Sequence, residues 1–192
     1  MPSTYDDELW ELVPEDAGPP PEHLTRFVRG LPRAAHALDL GCGDGRLTAS
    51  LDAERVTAAD VSDVALERAR GRLPGVRFVR IGADRPLPFE DAEFDLVLCA
   101  ETIEHAVDVG LLLSECRRVL RPEGRLAVTT PAHGRRTGLE VLLRGFESRF
   151  EPLSPHLRFF TRRSLSRALG DAGFGVTKLR RRSGSLLAEA SL

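Results

Sequence analysis

Lysine is all but missing from this chain: Lys178 is the only one, and basic charge is otherwise carried by arginine, a bias of composition rather than of function. Cysteine is scarce as well. Cys42, Cys99 and Cys116 are odd in number and widely spaced, two of them inside apolar runs. That pattern argues against a disulfide framework and for buried, reduced thiols in a cytoplasmic protein. No apolar stretch approaches the ~20 residues that a membrane span needs. Residues 1–8 are acidic and lack the apolar core of a secretory signal, and no repeat or low-complexity tract interrupts the chain. The formal net charge of -2 gives no global reason to invoke nucleic acid or anionic lipid as a partner.

What is present suits one compact α/β domain. The 192 residues are 42% hydrophobic, enough for a real core and too few for a second full domain. Charge is unevenly spread: residues 131–192 hold twelve Lys+Arg against five Asp+Glu, a net +7, and the first 130 carry about -9. Such asymmetry marks either a face for an anionic partner or the ordinary solvation of late helices. Residues 1–34 read as a short appendage, with a helical turn near Leu9 and Trp10, a breaker at Gly18–Pro21 and a helix over 22–30. Residues 35–192 read as the main domain, whose pattern is rhythmic from residue 35 until it breaks after Pro131. Strands are expected at 37–40, 55–61, 76–82, 94–99 and 126–130, with helices at 63–72, capped by Ser62, and at 108–120. This alternation predicts parallel strands joined by right-handed crossovers. A last helix at 162–172 and a terminal pair of strands, 174–179 and 185–190, complete the expectation. The segment 132–160 is polar, aromatic and arginine-rich, without a period.

In an open parallel sheet, ligands bind beyond the carboxyl ends of the central strands. The first strand runs there into Gly41-x-Gly43-x-Gly45, whose glycines let the backbone approach a ligand closely. A dinucleotide fingerprint needs its third glycine at position 46, which is Arg46, so a pyrophosphate cradle is disfavoured. Asp39 precedes the loop and suits a cationic group better than a pyrophosphate. Asp60 ends the second strand, where a carboxylate takes the hydroxyls of a ribose.

Together these residues resemble the class I S-adenosylmethionine-dependent methyltransferases, in particular their type-11 branch, which is similar to ubiquinone- and menaquinone-biosynthesis enzymes. Leu38–Gly45 resembles motif I, Ala59–Ser62 the acidic end of strand two, Leu87–Phe89 with Phe94–Val97 the approach to motif IV, and Val119–Leu126 the turn into strand five. The likeness runs from about residue 36 to 130. It implies a Rossmann-like, mostly parallel seven-stranded sheet with helices on both faces and an antiparallel C-terminal strand. It also implies S-adenosylmethionine as cofactor, held by Asp39, Gly41, Cys42, Gly43, Asp60, Val61, Ala83, Asp84 and Cys99. Asp84 stands one residue late for the family's adenine-binding carboxylate. The reaction implied is in-line displacement at a sulfonium methyl, with the protein orienting the acceptor.

Glu101-x-x-Glu104-His105 follows the fourth strand. Were it the start of a helix, the three side chains would share one face. Glu101, Glu104 and His105, joined by His156 or alternatively by His133, then form a candidate site for Mg²⁺, Mn²⁺ or Fe²⁺, as similar patterns do in ubiquinone-pathway O-methyltransferases and in small-RNA 3′-terminal 2′-O-methyltransferases. Without a metal, His105, Glu101 or His133 is the candidate acid/base that acts on the acceptor. His36 is expected in a loop and His23 on the surface. Residues 132–160 are expected to build the acceptor pocket, with Phe146, Phe150, Phe159 and Phe160 as walls or core. Arg135, Arg136, Arg144, Arg149 and Arg158 would serve an anionic acceptor. The favoured acceptor is a small-molecule hydroxyl on a quinol, sugar or secondary metabolite. RNA, a non-catalytic cofactor-binding module and an NAD-dependent oxidoreductase are the alternatives.

Overall fold

The computed structural model describes residues 5–146, 150 and 155–192, without the side chains of residues 135 and 136. Its centre is one seven-stranded sheet of order β3-β2-β1-β4-β5-β7-β6. The strands are β1 (Ala34–Leu40), β2 (Ala53–Asp60), β3 (Arg77–Arg80), β4 (Phe94–Ala100), β5 (Leu120–Pro131), β6 (Gly175–Arg182) and β7 (Ser185–Ser191). β1 to β5 pair in parallel, whereas β7 runs antiparallel to both β5 and β6. β6 therefore lies at the sheet edge, and the chain turns back through Ser183 and Gly184, at φ 47° and 91°, to insert β7 beside β5. Positive φ at both turn residues matches the twist of a two-residue hairpin.

The central strands are buried on both faces, as parallel strands under crossover helices must be. Leu38, Leu40, Val97, Cys99, Leu126 and Val128 face one core. Ala37, Leu96, Leu98, Ala100 and Ala127 alternate onto the other. The first core is covered by α4 (Val109–Val119) and α6 (Arg162–Asp171), which bury Leu113, Cys116, Leu165 and Leu169. The second is covered in part by α2 (Glu22–Arg29), through Val28 with Phe27. α3 (Asp63–Arg72) starts at Ser62, whose hydroxyl accepts from the Ala65 N–H at 3.2 Å, the cap expected from sequence.

Three expectations change. His36 is not in a loop: it lies within β1, buried, with Nε2 3.0 Å from the Thr57 hydroxyl and its ring against Phe94. His23 is half-buried and bonded to Ser185 at 3.1 Å. The segment after β5 holds a helix, α5 (Arg135–Arg144), that was not expected. It exposes Leu139, Leu142 and Leu143 and so carries no period tied to the core. Among the described residues no helix is long and apolar enough to cross a membrane.

Candidate functional site

β1 and β4 are neighbours whose outgoing loops diverge, β1 leading to β2 on one side and β4 to β5 on the other. A crevice opens at such a switch point. Here it is a cavity of about 350 Å³, lined by the glycine loop after β1, the end of β2, residues 81–87 and the turn after β4. That volume lies at the lower end of the ~300–1,000 Å³ of small-molecule sites.

The glycine loop is pinned before any ligand arrives. The N–H groups of Gly41 and Cys42 donate to the Ala59 carbonyl at 2.8 and 3.0 Å, and that of Gly43 donates to the Asp60 carboxylate at 2.8 Å. Gly41 and Gly43 sit at φ 75° and 54°, a conformation that side chains disfavour. Space excludes a side chain too: a Cβ on Gly41 would strike Thr102, and one on Gly43 would come within 2.6 Å of the Trp10 ring. Asp60 also accepts from the Ser62 N–H at 2.9 Å. Burial pushes its carboxyl upward, a shift that these two N–H bonds resist.

Around the cavity stand Asp6, Asp60, Asp84 and Glu101, with Arg85 the cation among the lining residues once Glu115 is set apart, paired to Arg118 at 2.7 Å. This excess of carboxylate suits a ligand that carries a sulfonium and an ammonium, and it repels a pyrophosphate. The donor set thus fits S-adenosylmethionine. Arg46 turns away from the cavity, onto Asp44 at 2.8 Å and the Gly18 carbonyl at 2.7 Å.

The residues expected to hold the cofactor divide into two groups. Gly41, Gly43, Asp60, Val61, Ala83 and Asp84 line the cavity. Asp84, at φ 48°, accepts from the Asp108 N–H at 2.8 Å, which ties residues 82–85 to the start of α4. Asp39, Cys42 and Cys99 lie elsewhere. Asp39 is 2% exposed and accepts from the Thr48 hydroxyl at 2.6 Å, beneath the loop rather than inside the cavity. Burial drives its carboxyl up to about 7. The thiol of Cys42 packs with Ala58 and Leu66, and that of Cys99 is fully buried in the main core.

The turn after β4 departs from the helix expected at Glu101–His105. Residues 101–108 form bends and turns, and α4 begins only at Val109. Glu101 sits at φ 50°, its N–H held by the Thr129 carbonyl at 2.9 Å and its carboxylate by the Thr129 hydroxyl at 2.8 Å. It lines the cavity and is not a member of the group that Glu104 forms with His105 and His156. Glu104, His105 and His156 do meet, with one ligating atom of each within 4.8 Å of the others. Leu157 and Arg158 donate their N–H groups to the Glu104 carbonyl at 2.8 and 3.0 Å, which brings His156 to His105. The two rings stand edge to face at 4.9 Å.

His105 is the member of this trio that faces the cavity, and its Nδ1 lies 3.0 Å from the Pro155 carbonyl. Burial lowers its pKa. The Glu104 side chain is 1% exposed, and the Thr130 hydroxyl eases the burial of its carboxylate. Burial, reinforced by Glu101, raises its carboxyl to about 8. His133 does not reach the cavity; its ring packs on Phe159 at 5.1 Å and Phe150 at 6.0 Å. Phe160 is buried core, Phe146 and Phe159 are exposed, and Arg149 lies outside the described residues.

The sequence reading missed α1 (Tyr5–Leu12) as part of the site: Asp6, Leu9, Trp10 and, just beyond it, Val13 line the cavity. The spacing of Leu9 and Val13 around the chain's single tryptophan was the available signal. Of the segment 132–160, expected to wall the pocket, the described residue that lines it is Pro155.

Comparison with known proteins agrees with this geometry. Residues 38–128 match the family described as "Methyltransferase domain". A protein of Mycobacterium tuberculosis named a probable S-adenosylmethionine-dependent methyltransferase is 35% identical over 159 residues, 79% of this chain and 54% of that one. A ubiquinone biosynthesis O-methyltransferase of Azorhizobium caulinodans is 29% identical over 82% of this chain and 65% of its own. The chain thus spans about half the length of the first of these relatives. In fold it is similar to a methyltransferase of Haloferax volcanii solved with the Trm112 methyltransferase activator, at TM-score 0.71 and 19% identity over 97% of this chain and 92% of that one. With its glycine loop, its strand-end carboxylate and an acidic cavity at the switch point, the chain is similar over residues 38–128 to the class I S-adenosylmethionine-dependent methyltransferases of the type-11 branch.

Proposed function

We propose that the chain transfers the methyl group of S-adenosylmethionine to a hydroxyl of a small molecule, such as a quinol, sugar or secondary metabolite, with His105 as general base. One observation carries this reading. A carbonyl only accepts, so the contact with Pro155 puts the proton on Nδ1 and leaves the Nε2 lone pair of a cavity-lining imidazole free. Burial keeps that ring neutral at pH 7. S-adenosylmethionine, when bound, supplies an electrophilic methyl group. His105 would accept the hydroxyl proton as the acceptor oxygen takes the methyl and the methyl–sulfur bond breaks, its electron pair returning to sulfur in the leaving S-adenosylhomocysteine; Asp60 and the glycine loop would hold the donor in line. Arg158, whose guanidinium donates to the Val107 carbonyl two residues beyond His105, is the candidate to meet a carboxylate or phosphate on the acceptor. The ubiquinone biosynthesis relative supports a hydroxyl acceptor. The cytoplasm suits three free, buried thiols.

The test is a methyl-transfer screen over quinols, sugars, phenolic metabolites and short RNA. On the acceptor found, His105→Gln lowers kcat at least ~100-fold and leaves cofactor affinity unchanged. The wild-type rate rises with pH through an inflection below 6.5, since the His105 pKa is lowered. Full activity in His105→Gln would sink the assignment.

A second reading rests on Glu104. A buried carboxylate beside two imidazoles, with one ligating atom of each within 4.8 Å of the others, is a donor set for Mg²⁺ or Mn²⁺. In that case His105, Glu104 and His156 hold the ion that engages the acceptor hydroxyl, and the 3′-terminal 2′-hydroxyl of RNA becomes a candidate acceptor. Activity indifferent to EDTA and to Glu104→Ala removes this reading and leaves the first intact.

A further inference from the structure

The helix α1 is eight residues long, too short to persist alone in water. Its position depends on what it docks against, and the docking is specific. Asp7 is buried and accepts from the Ser62 hydroxyl at 2.7 Å and, more weakly, from the Val64 N–H at 3.4 Å. Ser62 lies two residues beyond Asp60 and caps α3, so one carboxylate ties α1 to the strand end that carries the ribose-binding position. Arg68 of α3 adds a bond to the Val13 carbonyl at 2.8 Å. After Val13 the chain runs to α2 through residues 14–21, which hold no helix or strand and include Gly18 at φ 73° and three consecutive prolines.

Leu9, Trp10 and Val13 are only half-buried, and all three turn towards the cavity. The Trp10 ring lies directly on Gly43 of the cofactor loop, so close that a Cβ there would sit 2.6 Å from Cζ2. A ligand in the cavity therefore covers apolar surface that α1 leaves uncovered. Any ligand that gains contact with docked α1 stabilises the docking by the same free energy.

Building on the family's cofactor, we propose that α1 is a lid on the cofactor site, latched by Asp7 on Ser62, with Trp10 as a cofactor-contacting residue. The lid opens about the 14–21 segment to admit S-adenosylmethionine and closes onto it. Its few docking contacts put it among the least stable parts of the fold, as ligand-exchange elements must be.

The experiment uses the full chain and S-adenosylhomocysteine. Trp10 is the only tryptophan, so its emission reports on the lid alone. Binding is expected to shift that emission and to slow amide hydrogen exchange over residues 5–12. Asp7→Ala loses a charge-assisted hydrogen bond, and its Kd by calorimetry is expected to rise about tenfold, chiefly through faster release. Trp10→Ala, which leaves the latch intact, weakens binding too. If wild type binds while both variants stay within twofold of its Kd, or exchange over 5–12 is unaltered, the lid is overturned and the cofactor assignment stands. If wild type itself fails to bind, the cofactor assignment falls and takes the lid with it.

Discussion

Replacing Asp39 by Asn tests whether this carboxylate acts as a charge towards the ligand or as a buried polar group beneath the loop. It is 2% exposed, it accepts from the Thr48 hydroxyl at 2.6 Å, and burial raises its pKa from 3.8 to about 7. A pKa higher in the folded than in the unfolded state means that the native protein binds more protons. Stability from this group is then complete below pH 3.8 and is lost as pH rises through about 7. Between pH 5 and 8 the loss amounts to ~2–3 kcal/mol, from the steepest slope of ~1.4 kcal/mol per pH unit. Asn keeps the size and the acceptor oxygen for Thr48 but does not ionise. Urea unfolding followed by circular dichroism at pH 5, 6, 7 and 8 should show Asp39→Asn gaining on wild type by that amount as pH rises. Parallel curves for the two proteins would refute the argument and return Asp39 to a charged role. A cationic ligand in the cavity favours the ionised form, so S-adenosylmethionine should flatten the wild-type slope and not that of the variant.

Two further perturbations probe the frame around the site. Gly43→Ala places a methyl 2.6 Å from the Trp10 ring at φ 54°, so α1 is expected to undock and cofactor affinity by calorimetry to fall while the sheet melts within a few degrees of wild type. Phe94→Ala empties a fully buried site between Phe89 and His36, and unfolding free energy should drop by ~3–5 kcal/mol with the cofactor loop unchanged in the remaining folded protein.

Local signals made most of the fold legible. The helix expected over 63–72 is α3, with Ser62 as its cap, because a cap and a helical spacing are properties of adjacent residues. β4 was readable as a doubly buried strand from its unbroken apolar run. α5 was not, since the Leu139, Leu142 and Leu143 that would mark a core-facing stripe are exposed. Glu101-x-x-Glu104-His105 has helical spacing, yet Glu101 takes a left-handed φ of 50° and is fastened to Thr129 of the neighbouring strand. That partner is 28 residues away in sequence and invisible to any local pattern. Asp39 shows an overlooked rule instead. Leu38 and Leu40 face one core, so a period of two sends Asp39 to the opposite face, under the loop and towards Thr48.

The same distinction explains which half of the site sequence could supply. A residue at the end of a central strand, such as Asp60, has its place fixed by the sheet, and the loop glycines follow from the close approach the chain must make there. Asp6 and Trp10 reach the cavity only because α1 folds back across the open end of the sheet, held by a carboxylate 55 residues from its partner Ser62. His156 reaches His105 through bonds to the Glu104 carbonyl, likewise a contact made after the strands have paired. In the proposed reaction, strand ends therefore hold the donor, while the returning segments carry the proposed lid and the residues proposed to lie next to the acceptor. Relatives that share the glycine loop and the strand-two acid can thus keep one cofactor while these returning segments select different acceptors.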